Sequence, residues 1–385
     1  MLATLNEWFF MKEDRSSFLP RIPEDARLVF CHQHLIQEDI VLSIQKRFAT
    51  RKPIKMLIWG DWGVGKTHLT YHIRWWLDEN EKDYPALPVL IEIGDITKKS
   101  RFDEIVRPFL DKLGIDFLIQ LVHDYRGKQQ NVALGLREKG VASHIAEAFN
   151  KMLLSSPGQA PVELVNQTFE YLKGRKIPGQ ASVGLSPVDQ SQDFIDILTS
   201  IGEMYRAVNA GKRILFIADE AAKLDAVEAD EATQNHWLTA NKLIFDDRNQ
   251  SFGFIYTVSG KSVNNLPVAI YEDQIQNRIG QNVFGLQTLA TSDVETYLKN
   301  LFNEFIDWDS VEKAVAEGKI PSDKYDRNAY PFSIEAKDRF VDFFNRAQED
   351  AKPRNISERI DDLAFLALKT NQRYIGLEFL DQENM

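Results

Sequence analysis

Residues Leu57–His68 read LIWGDWGVGKTH, and Gly60–Thr67 fit the spacing G-x-x-x-x-G-K-T. Phosphates need donors that converge with no side chains in the way, which a glycine-rich turn provides by exposing backbone N–H groups at the positive end of a helix. Gly60, Gly63 and Gly65 permit that approach, Lys66 can reach the β and γ phosphates, and the Thr67 hydroxyl can ligate Mg2+. The whole loop, Gly60, Asp61, Trp62, Gly63, Val64, Gly65, Lys66, Thr67 and His68, is therefore predicted to hold ATP. The flanks agree: MLIW before it is a short continuous apolar run suited to a strand covered on both faces, and THLTYHIRWWLDE after it reads as a helix.

Working outward, a helix is expected at about 36–49, with Ile36, Ile40, Val41, Ile44 and Phe48 in helical steps. PVLIEIGD (88–95), KRILFIADE (212–220) and SFGFIYTVSG (251–260) repeat the buried-strand signature. Strands alternating with helices predict an α/β fold, a P-loop parallel sheet. Between about 101 and 200 the runs turn helical and end in a turn-rich link, which predicts a helical insertion within the nucleotide-binding core. After about 286 the chain reads as helix throughout. The expected organisation is an N-terminal segment 1–35, a core 36–285 carrying the insertion, and a helical lid 286–385.

The chain has 385 residues, 44% hydrophobic and 27% charged, enough for two or three packed units. No long uncharged apolar run and no signal-peptide pattern occurs, so no membrane association is expected and the reading is cytoplasmic. A single cysteine, Cys31, leaves no intrachain disulfide or cysteine-rich zinc site. A net charge of -11 argues against a surface basic all round, but not against a local basic loop.

Hydrolysis needs a carboxylate for the metal and a group to orient or deprotonate the attacking water. ILFIADE supplies both at the end of one strand. Asp219 would hold Mg2+ through water, and Glu220 would polarise the nucleophile. The plainer reading is a solvated strand end with a helix cap in DEAAKL.

Taken together, the helix before the loop, GDWGVGKTH, the ILFIADE strand, the FIYTVSG strand and the helical end resemble the AAA+ ATPases over nearly the whole chain. Within them, the TxSG strand end, the insertion and the single lid look most like a prokaryotic branch of origin-recognition, loader, transposition-regulator and defence-switch ATPases. The resemblance implies that Ser259, in preference to Thr257, reads the γ-phosphate. It implies that Arg278 in DQIQNRIGQNVFGLQTLATSDVETYL is an arginine finger for a neighbouring subunit, unless it pairs with Asp273 or another local acid. It implies a sensor role for Arg354 in AKPRNISERI, with Arg359 and Arg373 as competitors. A homo-oligomeric ring or filament and a separately encoded effector protein follow as expected partners.

Two departures stand out. About 150 residues separate Thr67 from Asp219, more than a minimal core requires, and Trp62 occupies a loop position usually given to a small residue or proline. ITKKSR (96–101) makes Lys98, Lys99 and Arg101 candidate contacts to duplex DNA, against the alternative of a solvated loop; LKGRKIP (172–178) is a second basic cluster. His68 with His72, the group Cys31, His32 and His34, and the pairs Phe9-Phe10 and Trp75-Trp76 read more simply as structural residues than as metal or base-stacking sites. The expected function is ATP binding and hydrolysis controlling self-assembly and partner recruitment on DNA. An ATP-gated protein-binding switch and a P-loop kinase remain as alternatives.

Overall fold

The computed structural model describes residues 4–21, 25, 34–93, 103–177, 185–220, 231–246, 251–266, 270, 272–347 and 351–385. In chain order the elements begin with α1 (Leu5–Phe9), α2 (His34–Ala49), β1 (Lys55–Gly60), α3 (Lys66–Glu79) and β2 (Ala86–Glu92). Helices follow: α4 (Asp103–Leu113), α5 (Ile115–Lys128), α6 (Val132–Arg137), α7 (Ser143–Lys151), α8 (Glu163–Leu172) and α9 (Ser191–Val208). Then come β3 (Arg213–Asp219), α10 (Glu231–Phe245), β4 (Phe252–Ser259), α11 (Asp273–Ile279) and β5 (Val283–Leu286). The chain closes with α12 (Thr291–Phe305), α13 (Trp308–Ala316), α14 (Ile334–Arg346), α15 (Pro353–Lys369) and α16 (Leu377–Gln382).

These elements form two compact units. One comprises Glu38–Gly60 and Ile73–Gly285 and contains a five-stranded sheet in the order β2-β3-β4-β1-β5. β2 with β3, β3 with β4, and β4 with β1 pair in parallel. β3 and β4 are buried along almost their whole length, which is why ILFIA and FGFIY are continuous runs rather than alternating apolar and charged ones. Phe109 of α4 packs its ring on Phe216 of β3 and Phe254 of β4, extending one core from the sheet into the helical region. Close packing sets two glycines: a Cβ on Gly202 of α9 would lie 2.3 Å from the Ser251 carbonyl oxygen, and one on Gly253 of β4 would lie 2.6 Å from Leu215 Cδ1.

The other unit joins Met1–Gln37, Asp61–His72 and Leu286–Met385. Its helices start on local signals. Asp307 caps α13, Ser333 caps α14 by accepting from the Ala336 N–H, and Pro353 opens α15, where its missing donor costs nothing. The first residues of the chain are integral to this unit. Phe9, Met11 and Phe18 are buried in the same core as Leu301, Phe302, Phe305 and Phe332. Met11 bridges to Ile306, the Lys12 N–H donates to the Phe305 carbonyl at 2.9 Å, and the Phe18 N–H donates to Asp361 at 2.7 Å. Among the described residues no helix is long and apolar enough to cross a membrane.

Candidate functional site

In the sheet unit the chemistry gathers at the C-terminal ends of β3, β4 and β1. Parallel pairing sets Ile58 beside Thr257 and Gly60 beside Ser259, and the Gly260 N–H donates to the Gly60 carbonyl at 3.0 Å. β3 ends in Asp219, whose carbonyl accepts from the Ile93 N–H at 3.0 Å. Thr257, fully buried, ties the acidic pair together: its hydroxyl donates to Asp219 Oδ1 and accepts from the Glu220 N–H at 3.0 Å. One hydroxyl thus uses its donor and one lone pair to fix both residues. Glu220 turns sharply off the strand with φ +61°, a left-handed conformation that a non-glycine residue holds only where its surroundings impose it.

Those bonds make Thr257 the positioning residue of the pair, a role distinct from the γ-phosphate reading that the sequence assigns to Ser259 in preference to Thr257. Ser259 lies at the rim, half-buried, at the last position of β4. Thr257→Val keeps the shape but orphans the Glu220 N–H and strips a donor from Asp219. If the pair serves hydrolysis, turnover should fall by about tenfold to a hundredfold with nucleotide affinity little changed, an effect of roughly 1–3 kcal/mol. Thr257→Ser should retain most of the rate. Steady-state kinetics beside a binding titration separate the two effects, and a Thr257→Val enzyme with normal turnover would refute the positioning role.

The phosphate-type loop belongs to the other unit from Asp61 onward. Gly63 and Gly65 adopt φ +81° and +99°, the conformations that explain why glycine occupies both. Lys66 opens α3 and is buried, its ammonium donating to the Asp61 carbonyl at 2.9 Å. The Thr67 carbonyl accepts from the Thr70 hydroxyl at 2.7 Å. Val64 is buried, whereas Trp62 is 59% exposed at the loop tip. Burial holds the His68 imidazole below its ordinary pKa; the Asp25 carboxylate opposes this and His72 adds to it. The Asp61 carboxylate accepts from the Trp62 N–H at 2.8 Å and from the Lys352 ammonium at 2.8 Å. Lys352 is the residue before α15, and its Cδ would lie 3.7 Å from a Cβ on Gly63.

Compared with solved structures, the chain matches the Aeropyrum pernix ORC2 protein in its ADPNP-ADP complexes with a TM-score of 0.53 at 11% identity, over 97% of this chain and 71% of that one. The ADP form of the same protein gives a TM-score of 0.50 at 10% identity, over 98% and 71%. The chain therefore shares the α/β fold of these ORC2 structures. No family model matches the sequence, and no curated protein matches it significantly. At such identity the likeness carries the fold and nothing finer, so the roles of individual residues rest on their own geometry.

On that geometry the sequence-derived AAA+ candidates divide. Asp219 and Glu220 are adjacent and jointly held by Thr257. Gly63, Lys66 and Thr67 share one loop and helix start, and the lid arginine Arg354 reaches that loop with its Cβ 3.6 Å from where a Gly63 Cβ would be. The Arg354 guanidinium, however, pairs with Glu358 at 2.8 Å. Arg359 pairs with Glu383 at 3.2 Å. Arg373 stacks over Trp8 and Phe10 and donates to the Trp8 carbonyl at 3.2 Å. Arg278, in the last turn of α11, donates to the Gln274 carbonyl at 2.7 Å. Lys98, Lys99 and Arg101 lie outside the described residues, as do Cys31 and His32. In the second basic cluster, Lys173 is neutralised by Asp111 at 2.6 Å and Glu170 at 2.7 Å, and Arg175 by Glu170.

Lys352 has no place in the sequence reading. The available signal was Asp61: a carboxylate inside a loop built for anions demands a nearby cation.

Proposed function

We propose that this chain binds ATP with Mg2+ and hydrolyses it, and that its nucleotide state controls self-assembly and the recruitment of a separately encoded partner on duplex DNA in the cytoplasm. The observation that carries the hydrolytic reading is the Asp219-Glu220 pair at the end of β3, locked by one buried hydroxyl. Such a lock is wasted on a solvated strand end and suits a pair whose orientation matters. The loop residues fit a triphosphate: two left-handed glycines keep the approach clear, Lys66 and Thr67 begin a helix, and its first-turn N–H groups have no intrahelical acceptors. ADPNP and ADP, the ligands of the similar ORC2 structures, belong to the ligand class proposed here.

In this reading Lys66 neutralises the β and γ phosphates, and the glycine-loop amides bind their oxygens. The Thr67 hydroxyl and, through water, the Asp219 carboxylate would hold the cation, which would supply charge neutralisation on the phosphates. Glu220 accepts hydrogen bonds from the attacking water and orients it. Arg278 of a neighbouring subunit, Arg354 and Ser259 are proposed to sense or neutralise the γ-phosphate, and Lys98, Lys99 and Arg101 to track the DNA backbone.

The test is phosphate release from ATP by the purified chain with Mg2+, with and without duplex DNA at two salt concentrations. Release to water, increased by DNA and weakened by salt, is the expected result. Release without any DNA response would favour the ATP-gated protein-binding switch. Phosphate appearing on an acceptor other than water would favour a kinase.

A further inference from the structure

Asp61 is the first residue after Gly60 and puts a carboxylate in a loop whose other features favour anions. A fixed negative charge there repels an incoming polyanion unless something cancels it. One of its oxygens accepts from the Trp62 N–H, which orients the carboxylate without neutralising it. The other accepts from Lys352 at 2.8 Å, and the two side chains retain only 18% and 35% exposure for lysine and aspartate. The lysine stem lies along Gly63, so the ammonium is delivered across the loop rather than hanging in solvent. Arg354, two residues on, spends its charge on Glu358. The Lys66 ammonium donates to the Asp61 carbonyl at 2.9 Å.

We propose that Lys352 is the counter-charge of the phosphate-binding loop: it cancels Asp61, so that the loop's affinity for a nucleoside triphosphate depends on the residue leading into α15. This rests on reading the loop as a nucleotide site. It differs from a direct phosphate-sensing role in one respect: Lys352 acts by its charge on the pair, so removing both charges restores the affinity of the unsubstituted chain.

A double-mutant cycle on the full-length chain decides the matter, with a fluorescent ATP analogue titrated into the unsubstituted protein, Lys352→Met, Asp61→Asn and the double variant. Asn keeps an oxygen for the Trp62 N–H while removing the charge. Lys352→Met should weaken binding by about tenfold, and the loss should shrink as salt screens Asp61. Asp61→Asn should bind at least as tightly as the unsubstituted chain, and the double variant, like the intact pair without net charge, should match the unsubstituted chain within about threefold. Lys352→Arg should bind normally, and nucleotide-free thermal unfolding of each variant identifies any that fail to fold. A double variant that binds as weakly as Lys352→Met would make Lys352 a direct phosphate ligand and overturn the proposal, as would unchanged binding by Lys352→Met. If the unsubstituted chain binds no nucleotide, the nucleotide reading fails first and the proposal falls with it.

Discussion

Lys66→Ala is expected to abolish measurable ATP binding. A lysine ammonium facing phosphate oxygens makes charge-assisted hydrogen bonds that no neighbouring group can replace, because glycine amides supply dipoles rather than full charge. Losing it from a largely buried position should cost about 3 kcal/mol or more, at least a hundredfold in affinity. Lys66 is only 7% exposed and opens α3, so the fold must be checked by circular dichroism. Alanine is the best helix former, and the start of α3 should survive the change. Titration with labelled ATP gives the answer: affinity within threefold of the unsubstituted chain would mean that the loop is not a phosphate site.

Glu220→Gln should do the opposite, preserving binding while cutting hydrolysis by roughly a hundredfold to ten-thousandfold, the range of a lost general base or water-orienting carboxylate. Glutamine matches glutamate in shape, and the hydrogen bond to Thr257 comes from the backbone N–H, so the left-handed turn at this residue should persist. The variant should therefore accumulate the ATP-bound state, and with it the assembly that this state favours. Mass measurement with ATP, with and without duplex DNA, would report stoichiometry and DNA dependence together. Hydrolysis at the unsubstituted rate would remove Glu220 from its assigned role.

Much of the sheet was legible because its strands are largely covered on both faces: MLI, PVLI, ILFIA and FIY carry their burial in composition. The loop after β1 was legible because its glycines and Lys66 are needed by position. Which of Thr257 and Ser259 lies buried against the acidic pair was not. Residues two apart on a strand point to the same face, so periodicity cannot separate them. Depth does, with Thr257 fully buried beside Ile58 and Ser259 at the rim. Lys352 was hidden for another reason. A lysine before a proline looks like any solvated helix start, and its partner Asp61 is roughly 290 residues away, a separation over which local patterns carry no information. Phe9 and Phe18 were readable as apolar but not as belonging with Phe302 and Phe332.

That last pairing reaches into how the molecule is made. A ribosome releases Phe9, Met11 and Phe18 long before Leu301, Phe302 and Ile306 exist, so for most of translation these early apolar side chains have no native partners. The intervening sheet unit can close its own core in the meantime, because all of its strands have emerged by Leu286. The unit that holds Lys66 is thus finished last, and a nascent chain can fold the strand ending in Asp219 well before it completes the unit to which Asp61–His72 belong.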